Sequence, residues 1–117
     1  MALLDELKTL GANVDEGMDR VMGDVDLYTM MLGMFVDSVR DNPVSAADFN
    51  GGSLDDLIKR VHTLKGVTGN LAITPLFDAY TETLGLLRAN KPQEAKARFE
   101  RLLPIQEAVL ACINKNK

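Results

Sequence analysis

With 117 residues, 46% of them apolar, the chain is long enough for one domain with its own core and cramped for two. Its net charge of −4 argues against a protein that grips the phosphate backbone of DNA or RNA, which takes clustered Lys and Arg. The single cysteine, Cys112, excludes an internal disulfide, and the start "MALLDELKTL" has neither the basic stretch nor the apolar run of a secretory signal, so a cytoplasmic location is the expectation. Residues 27–36 form an apolar run only about half the roughly 20 residues that a membrane-spanning helix needs, so no membrane contact is expected.

No alternating, strand-like run occurs, whereas apolar residues recur at helical spacing in segment after segment, which predicts an all-α chain. Leu3, Leu4, Leu7 and Leu10 fit one short piece, and Val14, Met18, Val21 and Met22 fit a short amphipathic helix ended by Gly23; both read as a lid. Over residues 24–40, Leu27, Met31, Met34 and Ser38 step by four, three and four, with Met30, Phe35 and Val39 widening the stripe. This predicts a full-length helix, stopped by Asp41-Asn42-Pro43, whose adaptable methionines fill a core.

After the loop "SAADFNGG", Ser53 and Asp56 have the spacing of a capping box that opens the next helix. A further helix opens at Thr74 with Pro75 in its first position and buries Phe77, Tyr80, Leu84 and Leu87 before Asn90. The last opens at Pro92 and runs toward Ile113 through Ala95, Phe99, Leu102, Leu103, Val109 and Leu110, with Pro104 expected to kink or break it. Helices of this length and number, joined by short connections, predict an antiparallel up-and-down four-helix bundle with a short N-terminal capping helix, one domain over residues 1–117.

The helix "LIKRVHTLKGVTGNL", residues 57–71, separates into two faces. Leu54, Leu57, Val61, Leu64, Thr68 and Leu71 make a core stripe, and His62, the chain's only histidine, lies off it. At about 100° per residue, the neighbours on its side are Asp55, Ile58, Lys59, Lys65, Gly66 and Gly69. A glycine inside a helix costs roughly 1 kcal/mol against alanine, so two beside one histidine require an offset. They allow either the close approach of another helix of the same domain or the access of a separate molecule to the imidazole. Because the core stripe is complete without them, access is the expectation. An exposed neutral imidazole is a competent nucleophile near pH 7, and Lys65, one turn on, would attract a phosphoryl group placed on it. One histidine and one distant cysteine make no metal-ligand set.

The run "HTLKGVTGN", residues 62–70, resembles the His-x-x-Lys-Gly-x-x-Gly signature of histidine-containing phosphotransfer (HPt) domains, and "EGMDRVMGDVDLYTMMLGMFV", residues 16–36, resembles the lead-in of that family. Together with the later helices, the resemblance covers nearly the whole chain. It implies a phosphorelay phosphocarrier, not an enzyme, that accepts a phosphoryl group on His62 from a receiver-domain aspartate and passes it to another receiver's aspartate. Lys65 would steady the phosphoryl group, Gly66 and Gly69 would clear the receiver's approach, and Asn70 would stand at the edge of that surface. The implied partners are response-regulator receiver domains and a hybrid histidine kinase, met by a monomer with no cofactor of its own, Mg²⁺ arriving with the receiver.

Lys59 and Ile58 share the His62 face and are candidate contacts, Ile58 as an apolar anchor or else a partly buried bundle-edge residue. The competing reading is a non-catalytic helical adaptor that binds a partner protein through the His62, Gly66 and Gly69 face.

Overall fold

The computed structural model describes residues 2–51 and 53–116. Among these it holds six α-helices and no strand: α1 (Ala2–Thr9), α2 (Val14–Arg20), α3 (Val25–Asp41), α4 (Asp55–Asn70), α5 (Thr74–Arg88) and α6 (Pro92–Lys115), with a 3₁₀ turn (Ala46–Phe49) between α3 and α4. Two short helices, rather than one, therefore precede the long ones. Packing is most extensive where α5 meets α4 and α6; α3 lies on α4 and α6, α1 on α6, and α2 on α3. The buried apolar residues form one cluster to which every helix and the 3₁₀ turn contribute.

Helix ends follow local chemistry. Asp24 accepts the Leu27 amide at 3.0 Å and caps α3. At the end of α5, Asn90 takes a left-handed φ of 60°, with its amide on the Leu87 carbonyl and the Lys91 amide on that of Leu86. The end of α4 repeats this with Ala72, φ 57°, the Ala72 amide reaching Gly69 and the Ile73 amide Thr68. At the end of α2 it is Met22, φ 56°, that makes the turn one residue before Gly23, which leaves the Met22 side chain 95% exposed instead of on the packed face. The capping box expected at Ser53 and Asp56 does not form: α4 is entered through Leu54, and the Ser53 hydroxyl accepts only the Asp55 amide, at 3.3 Å. A comparable contact occurs upstream, where the Ser45 amide donates to the Asp48 carboxylate at 2.8 Å.

Of the two outcomes expected at Pro104, a break does not occur: α6 is continuous from Pro92 to Lys115. The proline sits on the exposed side, where water can take up the carbonyl it frees, while Leu102, Gln106 and Val109 hold the helix down on the opposite side. On α3 the residues in the core are Tyr28, Leu32 and Phe35, whereas Leu27, Met30 and Met34 are 37%, 59% and 57% exposed. Both sets have helical spacing, more than a third of a turn apart; the set with the two aromatic rings fills the interior. The loop after α3 also contributes to the core, since Phe49 of the 3₁₀ turn is buried with its ring centroid 5.4 Å from that of Phe99.

Candidate functional site

Leu57, Val61, Leu64 and Thr68 bury one side of α4, as the periodicity requires. On the other side His62, Lys59, Gly66 and Asn70 are exposed, and Ile58, Lys65 and Gly69 are half-buried. Ile58 packs against the core cluster, so it behaves as a bundle-edge residue and not as a free anchor. The His62 ring enters no hydrogen bond and no ion pair among the described residues, and the Lys65 ammonium pairs with no carboxylate there. Residues three apart on a helix are surface neighbours, so an unengaged imidazole and an unengaged cation share one patch.

The two glycines differ. A Cβ built on Gly66 would meet nothing within 4 Å, whereas one built on Gly69 would stand 2.9 Å from two ring carbons of Phe77 on α5. The absence of a side chain at position 69 is therefore accounted for inside the chain, by the close approach of a second helix, contrary to the expectation that both glycines exist for access from outside. Gly66 has no such internal reason, and the space beside it opens to solvent. Periodicity places Phe77 on the core stripe of α5, whereas it is half-buried and lies across Gly69, a contact that spacing within one helix does not reveal.

The C-terminal end of α4 is held by the N-terminal third of the chain. Arg20 Nη1 donates to the Gly69 carbonyl at 2.8 Å, the Tyr28 hydroxyl donates to the Leu71 carbonyl at 2.8 Å, and the Asn13 amide donates to the Ala72 carbonyl at 2.8 Å. The Leu71 and Ala72 carbonyls lie beyond the last turn of α4, where no intrahelical amide reaches them, and the Gly69 carbonyl takes Arg20 in addition to the Ala72 amide. Arg20 is itself held by Glu16 at 2.6 Å. Tyr28 reaches its carbonyl past Gly17, where a Cβ would stand 2.7 Å from the ring, and burial pushes its phenol upward, which keeps the hydroxyl a donor. The mid-helix glycine of α2 was the available signal for this contact, but its partner lies eleven residues away on another element.

Arg20, Gly66, Gly69, Asn70, Phe77 and Asp78 border an open cleft of about 450 Å³ between α2, α4 and α5. On the other flank, Asn70 and Val67 border a smaller apolar groove of about 130 Å³ with Met31 and Met34 of α3. Asn70 thus stands where both depressions meet the His62 side of α4. Among the described residues, no group of three or more His, Cys, Asp or Glu side chains is arranged to hold a metal ion, and no helix is long and apolar enough to cross a membrane. Comparison with known proteins leaves this geometry to speak for itself, since no family model, no curated protein and no solved structure matches the chain.

Proposed function

We propose that the chain is a phosphocarrier of the HPt kind, in which α3, α4, α5 and α6 form an antiparallel four-helix bundle capped by α1 and α2. The observation that carries this reading is the exposed, unengaged His62 with Lys65 three residues on and the open space at Gly66. A nucleophile intended for a large phosphorylated partner must be accessible, must be rigidly mounted, and needs a cation near the transferred group. The core stripe of α4 and the three carbonyl contacts at its end supply the mounting.

In the proposed step, the unprotonated ring nitrogen of His62 attacks phosphorus of an aspartyl phosphate on a receiver domain. The N–P bond forms as the P–O bond breaks, the aspartate leaves as carboxylate with the electron pair, and Lys65 faces the phosphoryl oxygens. Transfer to a second receiver reverses these bond changes. The Mg²⁺ that supports such transfers would come with the receiver, as would the acidic ligands for it.

The adaptor reading shares the surface and lacks the bond-making. His62→Gln separates the two: it is expected to keep the helical circular dichroism spectrum and to abolish uptake of phosphate from a phosphorylated receiver with Mg²⁺. Label transferred to the variant at the normal rate would sink the phosphocarrier reading, and unchanged partner affinity with no phosphohistidine in either protein would favour the adaptor.

A further inference from the structure

Gly85 lies in the interior of α5, is exposed, and would carry a Cβ that meets nothing within 4 Å. Glycine weakens a helix interior, and no part of the chain approaches closely enough here to require one. Its place relative to His62 follows from the register of two helices. Residues 71–73 join α4 to α5, and the two pack extensively, as an antiparallel hairpin does. Phe77 lies against Gly69, which fixes how far each has slid along the other. Both rise about 1.5 Å per residue, so the position seven back from Gly69 is level with the position seven on from Phe77. His62 therefore faces position 84 across the seam. Leu84 is buried there, and Gly85, the next residue, turns onto the outer face about 1.5 Å further along the axis. With Gly66 one turn away on its own helix, His62 has bare backbone beside it on both helices.

The charges along this seam give the chemistry of what comes to it. Among the described residues, the Lys and Arg side chains that enter no ion pair are Lys59, Lys65, Arg88, Lys96 and Arg101. The first three surround His62, Lys59 and Lys65 three residues to either side of it on α4 and Arg88 three residues on from Gly85 on α5. The carboxylates of the two helices are engaged or remote: Glu82 is held by Arg98 at 2.7 Å, and Asp55, Asp56 and Asp78 stand about 9 Å or more from the level of His62 along the axis. An accessible seam of unpaired cations suits an anionic surface, and the phosphorylated pocket of a receiver is one.

We propose that Gly85 is a positioning residue for the phosphoryl transfer: its bare backbone lets the rim of the receiver's phosphorylated pocket settle into the α4–α5 seam, which brings the phosphorus within reach of the His62 ring while Arg88 and Lys59 face the rim. The inference rests on the phosphocarrier reading and deepens it. Gly85 touches neither the phosphorus nor the ring. It acts by clearance, so filling it obstructs a protein donor and leaves a small donor free.

The test compares two donors on the full chain: phosphorylated receivers with Mg²⁺, and phosphoramidate, from which the ring nitrogen takes the phosphoryl group as the bond to ammonia breaks. Gly85→Ala and Gly85→Leu are expected to melt no lower than the parent and to be labelled by phosphoramidate within twofold of its rate. Transfer from a receiver should fall tenfold or more in Gly85→Leu and by a smaller factor in Gly85→Ala. Equal slowing with both donors would place the effect in His62 itself, and a normal rate from the receiver would show that the seam is not used. A lowered melting temperature in either variant would mean that the space is needed within the molecule. Each of these results overturns the inference and leaves the phosphocarrier reading standing. A parent protein that takes no phosphate from phosphorylated receivers would instead end that reading, and the inference with it.

Discussion

Phe77 lies across Gly69 so closely that a Cβ on the glycine would stand 2.9 Å from two carbons of the ring, while three residues earlier on the same helix Gly66 faces open space. Both glycines should gain helix propensity on replacement by alanine, up to about 1 kcal/mol each. Only position 69 adds an overpacking cost, about 1–3 kcal/mol where a ring must shift. Urea denaturation is therefore expected to find Gly66→Ala more stable than the parent, and Gly69→Ala about 1–3 kcal/mol less stable than Gly66→Ala. Equal stabilities for the two variants would remove the distinction between an internal and an external reason for the glycines.

A bulky residue at Gly66 probes the proposed function on the same helix. Gly66→Leu fills space that no other part of the chain uses, so thermal unfolding and the circular dichroism spectrum should stay close to those of the parent. Phosphate transfer from a receiver should fall by a factor of ten or more, since the leucine would stand beside the approaching phosphoaspartate. An unchanged transfer rate would mean that the partner reaches His62 from another direction.

Tyr28 and Leu71 are both buried, and the phenol is the donor to the Leu71 carbonyl at 2.8 Å. Tyr28→Phe keeps the ring over Gly17 and removes that donor, leaving a carbonyl without a partner. The expected loss is about 1–3 kcal/mol in chemical denaturation. Faster amide exchange should accompany it around residues 69–73, where the chain turns from α4 into α5. Destabilisation with no change in exchange there would place the role of Tyr28 in packing alone.

Pro104 sits on the exposed side of a continuous α6. An interior proline costs about 3 kcal/mol against alanine, of which its restriction of the unfolded chain returns up to about 1 kcal/mol. Pro104→Ala is accordingly expected to raise stability by about 2 kcal/mol. A destabilised variant would show that the proline shapes α6 in a way its packing needs.

Cys112 is 5% exposed beneath α1, and burial first, then the Glu6 carboxylate, push its thiol upward. Lys115 and Glu6 pair at 3.0 Å between α6 and α1. Thiolate is the reactive form, so a thiol reagent at pH 8 should label the native protein at least a hundredfold more slowly than the urea-unfolded chain. Labelling should quicken in Glu6→Gln, which removes both the ion pair that holds α1 over the thiol and a charge that raises it. Rapid labelling of the parent would show that α1 does not cover the cysteine in solution.

Much of the architecture was legible in the residues themselves, and it is the part governed by local physics. The helical period marks the segments; Pro75, Pro92, Asn90 and Asp24 stand at their ends because of what each can or cannot do with a backbone amide. The wheel of α4 separates Leu57, Val61, Leu64 and Thr68 from His62 with no knowledge of any other helix. What tertiary structure alone decided were choices between locally equivalent options. Spacing cannot say whether α3 buries Leu27 with Met34 or Tyr28 with Phe35, because both stripes are periodic; the volumes offered by the facing helices choose, and they bury the rings. Spacing likewise cannot tell Gly66 from Gly69, since what distinguishes them is Phe77 on α5. Nor does it show that Asn13, Arg20 and Tyr28 close the end of α4, because each bond joins residues more than forty positions apart in the chain. The His62 patch on α4 was therefore readable as a pattern, while the way it is mounted depends on helices that the pattern does not name.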